Sequence, residues 1–139
     1  MDMTAEEKDL FVYIKELGNL YIFDVLLSYI YPRVFACEND SGDKFILYEM
    51  SNQNNTDIWL TTKISEEEYN SICDRKVPIQ DAYKNESNLF LISKVYGKSE
   101  DATKIIYDDL KTWIGKLPKN PVYAEEFRFI ESLKENKNE

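Results

Sequence analysis

The sequence contains no histidine, and its only two cysteines, Cys37 and Cys73, stand far apart. Without an imidazole there is no neutral-pH base of the usual kind, no Ser-His or Cys-His nucleophile pair and no histidine metal site. Two isolated cysteines cannot provide the paired ligand spacing of a structural zinc site. They fall among apolar residues, where a free thiol behaves as a small hydrophobe. No apolar run approaches the ~18 residues of a membrane-spanning helix. Met1 to Leu10 carries several acids and no basic n-region, so it does not read as a signal peptide. A cytoplasmic protein with reduced cysteines is the expectation.

Cations are also scarce. The 17 basic residues face 26 acidic ones for a net charge of −9, and only Arg33, Arg75 and Arg128 are arginine. Such a field repels phosphate backbones and argues against direct nucleic-acid binding. The plain reading of the acidity is solubility, and the sharper one is a surface that imitates nucleic acid.

What is present is a chain of one-domain length, 139 residues, with 43% hydrophobic and 14% aromatic content. Thr4-Ala5-Glu6-Glu7 has the form of a capping box, and Leu10, Phe11, Ile14 and Leu17 share a helical face before Gly18. That predicts a helix over 5–17. Leu20 to Tyr29 is nearly continuously apolar apart from Asp24, as in a strand covered on both faces. Tyr31-Pro32 interrupts it, and 33–50 reads as a β-hairpin around Asn39-Asp40-Ser41-Gly42-Asp43. Asp57 to Ile64 alternates as a further strand. Ser65-Glu66-Glu67-Glu68 is a second capping box, opening a helix over 66–76 that Pro78 limits.

Ile79 to Lys84 supports one further turn, and Leu89 to Tyr96 is strand-like. The stretch 102–117 fits either a helical stripe or a return strand; the β-branched Thr103 to Tyr107 favours the strand, with a short helical turn after it closed by Pro118 and Pro121. A short helix is expected over 125–133, with 135–139 frayed. The chain therefore reads as a single α+β domain over 1–139. Its expected form is an antiparallel meander of five or six strands with an N-terminal helix and one or two further helices packed on it.

Two blocks carry a resemblance. Leu20 to Tyr48 includes Tyr31-Pro32-Arg33-Val34-Phe35 and the Gly42 hairpin; Trp59 to Tyr83 includes Ile64-Ser65-Glu66-Glu67 and Ile79-Gln80-Asp81-Ala82-Tyr83. Their order resembles an uncharacterised family of small bacterial and phage proteins, a domain of unknown function. The resemblance implies a setting, the cytosol of bacteria and their viruses, and carries over no catalytic residue.

The candidate binding residues are Tyr31, Arg33, Trp59 and Lys63. Arg33 stands beside tyrosines at a strand connection, where a guanidinium can clamp an anion and rings can stack on a base. The plainer reading is an arginine covering a core edge. Trp59 and Lys63 share one strand face, opposite Ile58 and Leu60, and a tryptophan there is either a contact or simply core. Glu66, Glu67 and Glu68 are explained by the cap and the helix dipole, and Asp108-Asp109 by a solvated surface. No catalytic residue, metal or cofactor is expected. The leading expectation is a non-enzymatic binding protein of phage–bacterium conflict that sequesters a small anionic, nucleotide-like signal or blocks a partner protein. An acidic inhibitor that mimics nucleic acid stands second, and a carboxylate-only hydrolase third. Two unpaired sheet edges also lead to an expected homodimer.

Overall fold

The computed structural model describes residues 9–28, 33–96 and 103–125. Seven strands follow one another in sequence order: β1 (Asp9–Ile14), β2 (Gly18–Leu27), β3 (Val34–Asn39), β4 (Lys44–Ser51), β5 (Thr56–Ile64), β6 (Leu89–Val95) and β7 (Lys104–Ile106). All neighbours pair antiparallel, so the sheet is a meander. It curls into a nearly closed barrel. Irregularities in register at Leu10/Val12, Ile22/Asp24, Val25/Leu27 and Glu49/Ser51 bend the strands that carry them. The barrel brings β1 within reach of strands far from it in the sheet order: the Phe11 ring meets Trp59 of β5 at 5.2 Å, and Lys94 Nζ of β6 donates to the Phe11 carbonyl at 3.0 Å.

The expected N-terminal helix is overturned for residues 9–14, which form β1. Val12 and Ile14 point inward and Tyr13 outward, the period of a strand, and Gly18 at φ +80° opens β2 after a tight turn instead of ending a helix. The α+β class and the count of five or six strands are corrected with it: β1 and the short β7 bring the sheet to seven, and the described residues form a mostly antiparallel, barrel-like β structure with only two short α-helices. The Thr4–Glu7 capping box, Tyr31 and residues 126–133 of the helix expected over 125–133 lie outside the described residues.

Other expectations hold. The hairpin turns at Gly42, whose φ of +86° favours glycine. Helix α1 (Glu66–Cys73) starts on a complete Ser65/Glu68 capping box, with Glu68 N donating to Ser65 Oγ and Ser65 N to Glu68 Oε1. A 3₁₀ turn covers Ile79–Tyr83, and the return strand β7 precedes the short helix α2 (Leu110–Ile114).

Both faces of the sheet are buried. The outer core gathers Leu26, Val34, Ile46, Leu60 and Leu91 under Ile72 of α1, Ile79 and Tyr83 of the 3₁₀ turn, α2 and Ala124. The inner core fills the curl with Leu20, Cys37, Phe45, Leu47, Trp59 and Ile92, closed by Phe11 of β1 and Ile105 of β7. Even numbers on β5 face out and odd numbers in, so its alternating pattern serves two cores at once. Tyr83 pins the outer layer, its buried hydroxyl lying 3.1 and 2.9 Å from the carbonyls of Ile46 and Leu60 on adjacent strands. Gln80 ties down the C-terminal segment through the carbonyls of Pro118 and Asn120 and the amide of Val122.

Candidate functional site

The turns of a meander fall alternately at its two ends, and here the ends differ in charge. One end carries the β1–β2 turn, the β3–β4 turn and the start of α1. Its carboxylates Glu16, Glu38, Asp40, Asp43, Glu66, Glu67 and Glu68 outnumber Lys15, Lys44 and Lys63. Lys44 is held between Glu38 and Glu66 at 2.9 and 3.1 Å, and those hydrogen bonds, Glu38 first, raise its pKa against the opposing effect of burial. Lys63 pairs with Asp43 at 3.3 Å and is half exposed.

The opposite end, the mouth, is built around Arg33. Glu49 ends the inward-facing series Phe45, Leu47, Glu49 on β4, and Asp57 begins the series Asp57, Trp59, Thr61 on β5. Both are carboxylates at core positions, which require a cation or several donors. Arg33 supplies them. Its backbone N and Nε donate to Glu49 Oε1 at 3.1 and 3.2 Å, and Nη2 donates to Glu49 Oε2 at 2.7 Å and to Asp57 Oδ2 at 3.3 Å. The Tyr96 hydroxyl donates to the same Asp57 oxygen at 2.6 Å.

The guanidinium lies over Trp59 at 5.3 Å and Phe35 at 5.7 Å, rings that are themselves stacked. Its pKa is raised, first by the hydrogen bonds to Glu49, so Arg33 is charged at every accessible pH. Tyr96 is pushed up to about 12, by burial first and then by its bond to Asp57. Lys94 sits over the rings of Phe11 and Tyr96 at 4.5 and 5.0 Å. The Glu49 side chain is fully buried while that of Arg33 is 36% exposed, so the carboxylate is the floor and the guanidinium the lip.

The structure therefore brings two of the sequence candidates together and separates a third. Arg33 and Trp59 are in contact, but Trp59 is fully buried as an inner-core residue behind the arginine. Lys63 stands six residues along β5 from Asp57, roughly 20 Å at strand rise, at the acidic end. Glu49, Asp57, Lys94 and Tyr96 complete the mouth, and the sequence reading missed them. A usable signal existed: Glu49 and Asp57 are acids at inward positions of otherwise apolar strands, and arginine is rare.

A second polar node lies under α1. Asp24, the single acid of β2, accepts from the Tyr69 hydroxyl at 2.6 Å, with Cys73 Sγ at 3.6 Å one helical turn on. Burial, then the bond to Asp24, raises the Tyr69 pKa well above that of a free phenol, so the phenol stays a donor. The node fastens the helix to the sheet.

Three open grooves of about 330, 420 and 400 Å³ lie along α1, beside α2 and between α2 and the β4–β5 hairpin; neither Arg33 nor Trp59 lines any of them. Among the described residues no cluster of three or more carboxylates or thiols is placed to hold a metal ion, and no helix is long and apolar enough to cross a membrane.

A family model matches residues 8–120, from just before β1 into the segment after α2. The chain belongs to DUF6575, a family of unknown function. The match takes in both blocks that carried the sequence resemblance and every element of the mouth. No curated protein and no solved structure matches the chain significantly.

Proposed function

We propose that this DUF6575 protein is a non-enzymatic binding protein that engages a partner protein at the mouth of the barrel. The observation that carries this reading is the presentation of Arg33. It is charged, locked by a buried carboxylate, placed over the Trp59 and Phe35 rings and about one-third exposed, with Tyr96 44% exposed beside it. Arginine and tyrosine held in this way are the residue types that dominate protein interfaces. Small-molecule sites enclose most of their ligand in a concave pocket. Behind Arg33 stands a fully buried Trp59, and that favours the partner branch of the sequence expectation over capture of a small anion. The setting we attach is the one the resemblance implies, the cytosol of bacteria and their viruses, and blocking the partner is the role we propose there.

The test places a photo-crosslinking residue at position 96 in the native host. A discrete crosslinked species is expected there, absent from a control at Asp108 and lost when the Arg33–Glu49 pair is replaced. Light scattering at micromolar concentration identifies whether the occupant is a second copy: a mass near the 16.4 kDa monomer assigns the mouth to a different protein. A melting shift of several degrees with a nucleotide or other small anion, dependent on Arg33, would replace this reading with ligand capture.

A further inference from the structure

We propose that the mouth-end half of β1, residues 9–11, is a strap that closes the barrel, latched by Lys94, and that it opens by itself while the other strands stay paired. Strands β2 to β6 each have a hydrogen-bonded neighbour on both sides, whereas β1 pairs with β2 alone. At the far end of the sheet, β7 is three residues long and pairs only with Leu91, Ile92 and Ser93 of β6. Among the described residues no backbone hydrogen bond joins β1 to β6 or β7. Lys94, the next residue of β6, spans the seam instead. Its Nζ donates to the Phe11 carbonyl at 3.0 Å and lies 4.5 Å from the centre of the Phe11 ring. A side chain closes what the ladder leaves open.

Residues 9–11 are separable from the rest of their strand. The register breaks between Leu10 and Val12, after which Val12, Tyr13 and Ile14 pair in step with Leu20, Asn19 and Gly18. That second half is held by the tight turn, where Leu17 N donates to the Ile14 carbonyl at 3.0 Å. Outside, the second layer does not cover β1: Leu10 is 53% and Tyr13 44% exposed. Inside, the first half reaches the inner core through one ring, Phe11, which meets Phe35 at 5.8 Å and Trp59 at 5.2 Å edge-on. Elements with so few holds open at the low end of a protein's local stabilities. What the strap covers is the platform of Arg33, because Trp59 and Phe35 are the rings under the guanidinium. The latch also touches the mouth directly, since Lys94 lies 5.0 Å from the Tyr96 ring, whose hydroxyl holds Asp57. The device belongs to the fold and does not depend on what the mouth engages.

Native-state amide exchange, resolved by NMR and repeated at low urea concentrations, tests the strap in the wild type and in Lys94→Met, which keeps the apolar stem and removes the donor and charge. In the wild type the amides of 9–11 should exchange through an opening that urea hardly promotes, while those of β4 and β5 exchange only through urea-dependent global unfolding. Lys94→Met should speed exchange at 9–11 by about tenfold or more and leave β4 and β5 unchanged. In a Trp113→Phe background the same variant should make Trp59 fluorescence easier to quench with acrylamide. Wild-type exchange at 9–11 with the urea dependence of β4 and β5 overturns the proposal, and that measurement decides even where Lys94→Met does not fold. So does a Lys94→Met protein that leaves 9–11 unchanged or speeds every strand alike.

Discussion

Arg33→Ala gives the most direct test of the mouth. The substitution removes the contacting cation and the Nε and Nη2 bonds from Glu49, whose side chain is fully buried, and leaves that carboxylate, among the described residues, only the backbone N–H of residue 33. Stranding one member of a buried pair costs ~3–5 kcal/mol. Arg33 is itself 36% exposed, so water enters the space it leaves and screens part of the charge; the lower bound, about 3 kcal/mol, is the working value. For a chain of this length that corresponds to a loss of about 10 °C in melting temperature.

Adding Glu49→Gln separates the stranded charge from lost packing. The neutral amide keeps an oxygen for the residue-33 N–H and carries no charge to strand, so the double variant should lie only about 1–1.5 kcal/mol below wild type. Urea unfolding at pH 7 followed by tryptophan fluorescence, in a full double-mutant cycle, reads both values. A double variant no more stable than Arg33→Ala refutes the reasoning, because the buried charge of Glu49 would then not be what the arginine balances.

Tyr83→Phe deletes the hydroxyl shared by the carbonyls of Ile46 and Leu60 and should cost ~1–2 kcal/mol in urea, with the fold unchanged by circular dichroism. Ser65→Ala breaks the capping box of α1 and should cost about 1 kcal/mol, a loss that Ser65→Asp largely avoids. Tyr69, Tyr83 and Tyr96 all have raised pKa values, so their contribution is intact below the unfolded-state value near 10 and is lost as pH climbs through the folded values, about 12 for Tyr96. Unfolding at alkaline pH should coincide with the tyrosinate absorbance step; a smooth titration near pH 10 with the fold intact would contradict the buried placements.

The strands from Leu20 onward were legible because each carried its own signal: apolar continuity in β2, turn chemistry at 39–43, alternation in β5, a capping box before α1. β1 was misread because Leu10, Phe11, Ile14 and Leu17 satisfy a helical face while Val12, Ile14 and the outward Tyr13 satisfy a strand. Local pattern leaves the two balanced, and what decides is tertiary: inside the curl, Phe11 finds Phe35 and Trp59, and Lys94 takes its carbonyl. The double-sided core hid the site in the same way. Parity on β5 separates Ile58 and Leu60 from Trp59 and Lys63 correctly, but a second core behind the sheet makes the apparent outer face an inner one.

That second core also explains why the mouth sits where it does. Inward positions on β4 and β5 are apolar through Phe45, Leu47 and Trp59 and turn acidic only where the strands leave the curl, at Glu49 and Asp57. A carboxylate there is too deep to hydrate and too near the rim to be sealed by apolar side chains, so it draws in the one long cation on the adjoining connection. Glu49 then does two things at once: it terminates the inner core, and it fixes a charged planar group that is 36% exposed at the surface. A substitution at Glu49 should therefore change stability and recognition together, whereas Tyr96, at the rim and 44% exposed, is where the two can be separated.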